Sequence, residues 1–206
     1  MRQFSTTQKI DKVNTLTAIS PIDGRYANSV NSLRPYFSEF ALMRFRVYVE
    51  LNWFQSLFAN QIVSTDPKVV AQVLAQKQYM DQLFKDFSVQ DAERVKEIER
   101  TTNHDVKAIE YFLKEKFDEN KDLAELKEYL HFSCTSEDIN NLAYALMLHH
   151  SLQDVILPAM KNLQASLQKR AEEYADIPMM CRTHGQSATP STMGKEIANF
   201  AYRLRL

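Results

Sequence analysis

Glycine is scarce in this chain: three residues in 206, and two of them, Gly185 and Gly194, fall in one stretch, "CRTHGQSATPSTMGKE". Proline numbers six and cysteine two. Cys134 and Cys181 have neither metal-ligand spacing nor the count for a disulfide framework, which suits a reducing cytoplasm. An excess of charge is missing too. The net charge is −1, with acids and bases interspersed, so there is no basic stripe for nucleic acid and no polybasic segment for a membrane surface. Long apolar runs are absent as well. The most apolar stretch, Phe40 to Phe58, is broken by Arg44, Arg46, Glu50 and Asn52, which excludes a membrane span. The first twenty residues lack the apolar core of a secretory signal and the arginine content of a transit peptide.

What is present is ordinary for a soluble domain: 45% hydrophobic and 25% charged residues, enough for a real core. Few breakers and little strict alternation predict an all-α fold. Residues 1–20 are polar and expected to be loose. "SPIDGRY" (20–26) reads as a turn around Asp23-Gly24. A helix is predicted over 36–60, with Phe37, Phe40, Ala41, Val47, Leu51, Phe54 and Leu57 among its apolar positions. One or two helices follow over 67–87. Ser88 is placed to cap "VQDAERVKEIERT", and Asn103 to cap a further helix with Val106, Ile109, Leu113 and Phe117 on one face. The charged connector 118–125 is the expected boundary between an N-terminal helical domain (21–122) and the first part of a long-helix bundle (123–206).

Beyond it, 136–174 reads as nearly continuous helix, kinked or restarted at Pro158. "INNLAYALMLHHSLQDVIL" is apolar on most sides, which predicts burial between several neighbours. His149 and His150 are adjacent on a helix, do not face one ligand, and make a poor metal site. After an irregular segment at 176–189, Thr189 and Pro190 read as the N-cap and first residue of a last helix running to Leu206. That helix stops in mid-pattern, so the natural chain is expected to continue.

Polar chemistry concentrates at four irregular joints. In the first, Arg25 follows a glycine in a turn, where a guanidinium fork suits phosphate or carboxylate; a plain surface turn is the alternative. In the second, His104 and Asp105 open a helix, where uncovered N–H groups attract anions or simply carry a polar cap. In the third, Thr135 and Ser136 compete as caps, with Glu137 and Asp138 in the first turn. Capping and anion binding are compatible there. In the fourth, His184 precedes Gly185 among Thr183, Gln186, Ser187 and Thr189, poised to titrate near neutral pH or held by local hydrogen bonds.

Together, "SPIDGRY", "ERTTNHDVKAIEYFLKEK", "HFSCTSEDINN" and "RTHGQSATPSTMGKE" resemble the N-terminal half of the adenylosuccinate lyases, within the fumarase/aspartase superfamily. Their order is more specific than any one of them. The resemblance implies β-elimination of fumarate from adenylosuccinate, giving AMP, and from the succinylo-carboxamide imidazole ribotide of purine synthesis. It implies no metal and no organic cofactor. It implies that Arg25 and Tyr26 hold the phosphate side of the nucleotide, that Asn103, His104 and Asp105 contact substrate, that Thr135 and Ser136 bind the succinyl part, and that His184 is the general acid. It also implies a cytoplasmic homotetramer with active sites shared between subunits. The family's loop with the serine base, Ser-Ser-x-Met-Pro-x-Lys-x-Asn, is not in this sequence; "STMGKE" resembles it only superficially. This chain alone is therefore expected to be inactive. Another fumarate-releasing lyase of the argininosuccinate type, or a non-catalytic helical scaffold, are the competing readings.

Overall fold

A computed structural model describes residues 14–205. The chain is all-α apart from two short ribbons, and it divides into two compact units, Met1–Leu148 and His149–Leu206. The expected loose segment 1–20 falls largely outside the described residues; 14–20 form turns. The compact units divide within a helix, not at the charged connector 118–125. Leu123 and Leu130 are the reason: both are buried in the core of the first unit, so the connector is part of that unit.

In the first unit, "SPIDGRY" forms the expected turn. Gly24 N donates to Ser20 O at 3.0 Å and Tyr26 N to Pro21 O at 2.9 Å. A Cβ at Gly24 would stand 3.0 Å from Thr15 O and 3.3 Å from Ser20 O, so a side chain there would require the turn backbone to give by a few tenths of an ångström. A 3₁₀ helix, Ala27–Leu33, leads into α1 (Arg34–Phe37) and α2 (Glu39–Ala59). The single helix expected over 36–60 is thus split at Ser38, whose extended backbone and side chain cap α2 by accepting from Ala41 N. Phe37 falls outside the core and is half exposed.

Next come α3 (Pro67–Ala75), α4 (Lys77–Lys85), α5 (Val89–Thr102) and α6 (Asp105–Asp118). Ser88 caps α5 as expected, in a capping box closed by Asp91. Asn103 does not cap α6. It adopts φ +51° and ends α5 in the left-handed conformation that asparagine tolerates, and His104 takes the cap of α6 instead.

These helices surround Leu51, Phe54, Phe58, Val73, Met80, Ile109, Leu113 and Phe117. Phe54 meets Phe117 edge-on at 5.0 Å, an arrangement that adds to the gain from area burial.

Following a 3₁₀ helix, Ala124–Tyr129, α7 (Ser136–Ser151) packs Ile139, Ala143 and Met147 against Phe45, Val49 and Val106. That stripe at i, i+4 and i+8 is the only buried apolar face of α7 among the described residues. Leu142, Tyr144 and Leu148 are about half exposed, so among the described residues the expected burial on most sides is not found.

The second unit continues with a π-helical segment, Leu152–Ile156, and α8 (Leu157–Glu173), with Pro158 in its first turn. Widening to i+5 bonding just before Pro158 accommodates the missing N–H and restarts the helix, as the sequence suggests. The segment expected to be irregular contains two antiparallel ribbons. β1 (Pro178–Met179) pairs with β4 (Ser191–Thr192), and β2 (Arg182–Thr183) with β3 (Gln186–Ser187).

α9 runs Met193–Arg203 and is capped by Thr192, which accepts from Lys195 N at 3.1 Å. Thr189 and Pro190 do not start it: Ser191 and Thr192 are taken up by the ribbon, which delays the helix. Gly194 explains how α9 crosses α8. A Cβ there would lie 2.2 Å from Ala171 O and 2.7 Å from the Ala175 backbone.

Candidate functional site

The second and third joints meet in the first unit. His104 caps α6 through Nδ1, which accepts from Lys107 N at 3.1 Å. With Nδ1 used as acceptor, the neutral imidazole carries its proton on Nε2. That nitrogen lies 3.3 Å from Ser136 Oγ, the first residue of α7. Ser136 can accept from His104 and still offer its own O–H to a ligand. Thr135 precedes it, and its amide donates to Asp138 Oδ2 at 2.8 Å. Two helix N-termini therefore converge, each with first-turn amides that have no intrahelical acceptor. His104, Asp105 and Thr135 are exposed and Ser136 half-buried, so the junction is open.

Asp105 and the start of α7 are tied to the core by a residue the sequence did not single out. Arg46 of α2, 4% exposed, donates from Nη2 to Asp105 Oδ2 at 2.7 Å and from Nε to Asn140 Oδ1 at 2.9 Å. Partial burial pushes the Asp105 carboxyl up. The Arg46 hydrogen bond and charge, with the amides of Val106 and Asp105, outweigh that and hold it below the usual carboxylate range.

The loop before α7 has a second anchor. His131 Nδ1 lies 2.6 Å from Oε1 of Glu50, one helical turn beyond Arg46 on α2 and wholly buried. The Glu50 carboxylate raises the His131 pKa against the effect of burial. Trp53 Nε1 donates to Phe132 O at 2.9 Å in the same loop. His131 and Ser133 adopt φ +59° and +58°, a turn that these anchors hold. Cys134, beside them, is pushed up to about 11 by burial and by the Glu50 and Asp138 charges, so its thiol stays protonated and unreactive at neutral pH.

Arg25 and Tyr26 form a pair of their own, with the guanidinium carbon 5.7 Å from the ring centroid. Both are exposed, and no hydrogen bond or ion pair among the described residues ties them to the two helix starts. Asn103 is exposed at the end of α5.

His184 belongs to the second unit. It sits with Gly185 in the two-residue turn between β2 and β3, with φ +50° and +75°. Positive φ at both central residues is the type I′ hairpin turn, which fits the right-handed twist of the strands. That is why a glycine follows the histidine. No Cβ clash is involved, since one at Gly185 would meet nothing within 4 Å. The hairpin holds the imidazole out into solvent.

His149 and His150 are exposed neighbours with rings 5.4 Å apart. Among the described residues no group of three or more His, Cys, Asp or Glu could hold a metal ion. No described helix is long and apolar enough to cross a membrane.

Comparisons with known proteins place this helical fold in a family. The family model described as Lyase matches residues 24–205, and the chain belongs to that family. Within it, the chain is 51% identical over 193 residues to the adenylosuccinate lyase of Escherichia coli K12 and 52% identical over 194 residues to that of Haemophilus influenzae Rd. Each alignment covers 94% of this chain but 42% of the relative, so the chain spans about two fifths of these proteins' length. Among solved structures, the fumarate lyase of Mesorhizobium sp. BNC1 matches with a TM-score of 0.66 at 21% identity, over 85% of this chain and 37% of that one. The 3-carboxy-cis,cis-muconate lactonizing enzyme of Pseudomonas putida matches at 0.63 and 22%, over 84% and 37%. At these identities the two structures speak for the fold alone.

Proposed function

We propose that this chain is the N-terminal part of a lyase that releases fumarate from adenylosuccinate and from the succinylo-carboxamide imidazole ribotide. The observation that carries this reading is the identity of about one half to adenylosuccinate lyases across 94% of the chain. The reaction is a β-elimination. A base takes the proton next to a carboxylate, the resulting aci-carboxylate is stabilised by fixed donors, and an acid protonates the departing nitrogen.

The residues divide these tasks. Thr135 and Ser136, with the first-turn amides of α7, receive the succinyl carboxylates, and His104 holds the Ser136 hydroxyl in position. Asn103, His104 and Asp105 contact the substrate at the start of α6. Arg25 and Tyr26 serve the phosphate side. His184 delivers the proton to the leaving nitrogen.

Charge supports a shared site. Asp105, Glu137 and Asp138 outnumber Arg46 at the junction, and Arg46 is committed to Asp105. Lys107 is paired with Glu110, so further cations for an anionic substrate are expected from Arg25 and from other parts of the site, which suits a cytoplasmic homotetramer whose sites draw on several subunits. The exposed apolar residues of α7 and of α8–α9, among them Leu163 and Phe200, suit the same assembly.

The test is fumarate release in two chains. The 206-residue chain lacks the serine-base loop and is expected to be inactive. The same chain completed to the length of its relatives with the remaining Escherichia coli sequence is expected to cleave adenylosuccinate. A completed, folded chain that binds no nucleotide would replace this reading with the scaffold; one that cleaves a different succinyl compound would shift the substrate.

A further inference from the structure

Arg46 is an unusual arginine. Its side chain is 5% exposed, whereas its partner Asp105 is 54% exposed. The ion pair thus has one end in the core and one at the open junction. Buried ion pairs are weak contributors to stability, since desolvating the ions offsets most of their attraction. An apolar side chain of similar length would fill the space between α2, α6 and α7 as well. What it could not do is span two helix starts. The guanidinium fork gives Nη2 to the first residue of α6 and Nε to Asn140, one turn into α7. Both bonds leave from one rigid plane, so the two helix starts are fixed relative to each other as well as to α2.

The fork also sets which part of Asp105 faces out. Oδ2 is taken from the core side. Oδ1 stays at the junction, 3.8 Å from His104 Nδ1. The charged or titratable groups at the junction are thus Arg46 from α2, His104 and Lys107 at the start of Asp105's own helix, with Lys107 paired to Glu110, and Glu137 and Asp138 in the first turn of α7, which also contributes the neutral amide of Asn140.

We propose that Arg46 is a positioning residue for the candidate site: through Asp105 and Asn140 it holds the His104–Asp105 and Thr135–Ser136 helix starts at the separation that binding requires. The activity arm of this inference rests on the lyase reading above; the geometric arm does not.

The experiment uses three variants, Arg46→Met, Arg46→Lys and Asn140→Ala. In the 206-residue chain, the Asp105 carboxyl is titrated by carbon-detected NMR. Arg46→Met is expected to move it up toward the ordinary range, and Asn140→Ala to leave it low. In the completed chain, Arg46→Met is expected to lower kcat/KM by about a hundredfold, the scale of a misplacement near 1 Å. The loss should fall mainly on KM. Arg46→Lys keeps the charge but not the fork, so it should restore the Asp105 titration and leave KM raised. Asn140→Ala should raise KM with the ion pair intact.

If Arg46→Met is too unstable to measure, Arg46→Lys and Asn140→Ala carry the test. Wild-type KM in both would overturn the proposal. So would an Asp105 titration unmoved by Arg46→Met, or a lowered melting temperature with KM and titration unchanged. A completed wild-type chain without lyase activity would sink the reading of function instead, and the Asp105 titration with the spacing of the two helix starts by residual dipolar couplings would still decide the role of Arg46.

Discussion

Glu50 and His131 meet at 2.6 Å, Oε1 to Nδ1, with Glu50 fully buried and its second oxygen, Oε2, without a hydrogen-bond partner among the described residues. The contact satisfies half of a buried carboxylate and holds the loop that delivers Thr135 and Ser136. Its strength depends on the charge of His131, which makes the first prediction one of pH.

The His131 pKa is raised by the Glu50 carboxylate. A raised histidine stabilises the fold fully below the unfolded value of about 6.5, and this contribution is lost as pH rises through the folded-state value. The melting temperature of the chain is therefore expected to fall with pH above about 6.5, the unfolded histidine value, and His131→Phe should flatten that slope. The same variant removes the hydrogen-bond and charge partner of the buried Glu50 carboxyl and should cost about 3–5 kcal/mol. Thermal melts across a pH series check both; a slope that survives His131→Phe assigns it to another group.

Ser136→Ala separates capping from binding. Ser136 is the first residue of α7 and its hydroxyl faces His104 Nε2, so little helix stability depends on it. Urea unfolding is expected to register a loss of about 1 kcal/mol or less, the net worth of one exposed hydrogen bond. In the completed chain KM should rise by more than that loss can explain. Unchanged KM and turnover would leave Ser136 as part of a cap.

The two glycines of the second unit should respond differently to alanine. At Gly185 the added methyl meets nothing, and only the positive φ is unfavourable, which costs about 1 kcal/mol. At Gly194 the methyl collides with the Ala171 carbonyl and the Ala175 backbone, so α9 must move off α8. That should cost about 3 kcal/mol or more, at the upper end of overpacking. Amide exchange in α8 and α9 should rise sharply for Gly194→Ala and barely for Gly185→Ala; similar responses would contradict the close crossing.

His184→Gln in the completed chain tests the acid. Glutamine can donate a hydrogen bond but cannot deliver a proton. Turnover is expected to fall by at least about a hundredfold, within the range of general-acid catalysis, with loss of one limb of the pH profile. Near-normal turnover with an unchanged profile would pass the role to His104.

The long elements were legible because their signals are local. The Val106, Ile109, Leu113 and Phe117 stripe gave α6, Ser88 with Asp91 gave the start of α5, and Pro158 gave the restart of α8. The four joints were legible because polar and turn residues cluster there. What escaped depends on tertiary partners. Arg46 and Glu50 were noticed only as charges interrupting an apolar stretch. Their i, i+4 spacing on a helix otherwise rich in buried positions was the available hint that both reach inward. The ribbons escaped because two-residue strands carry no alternation. The cap of α9 was misplaced because Thr189-Pro190 and Ser191-Thr192 are both plausible starts, and pairing with Pro178–Met179 decides between them.

The left-handed backbone at His184 governs how substitutions there are interpreted. Asparagine enters that region readily, alanine with strain, and valine or isoleucine hardly at all. In the completed chain, an inactive His184→Val variant would report an untwisted hairpin as much as a missing proton donor. His184→Asn keeps the turn and removes the imidazole. The ratio of activities between those two variants thus measures how much the conformation of the hairpin matters once the chemistry of the ring is gone.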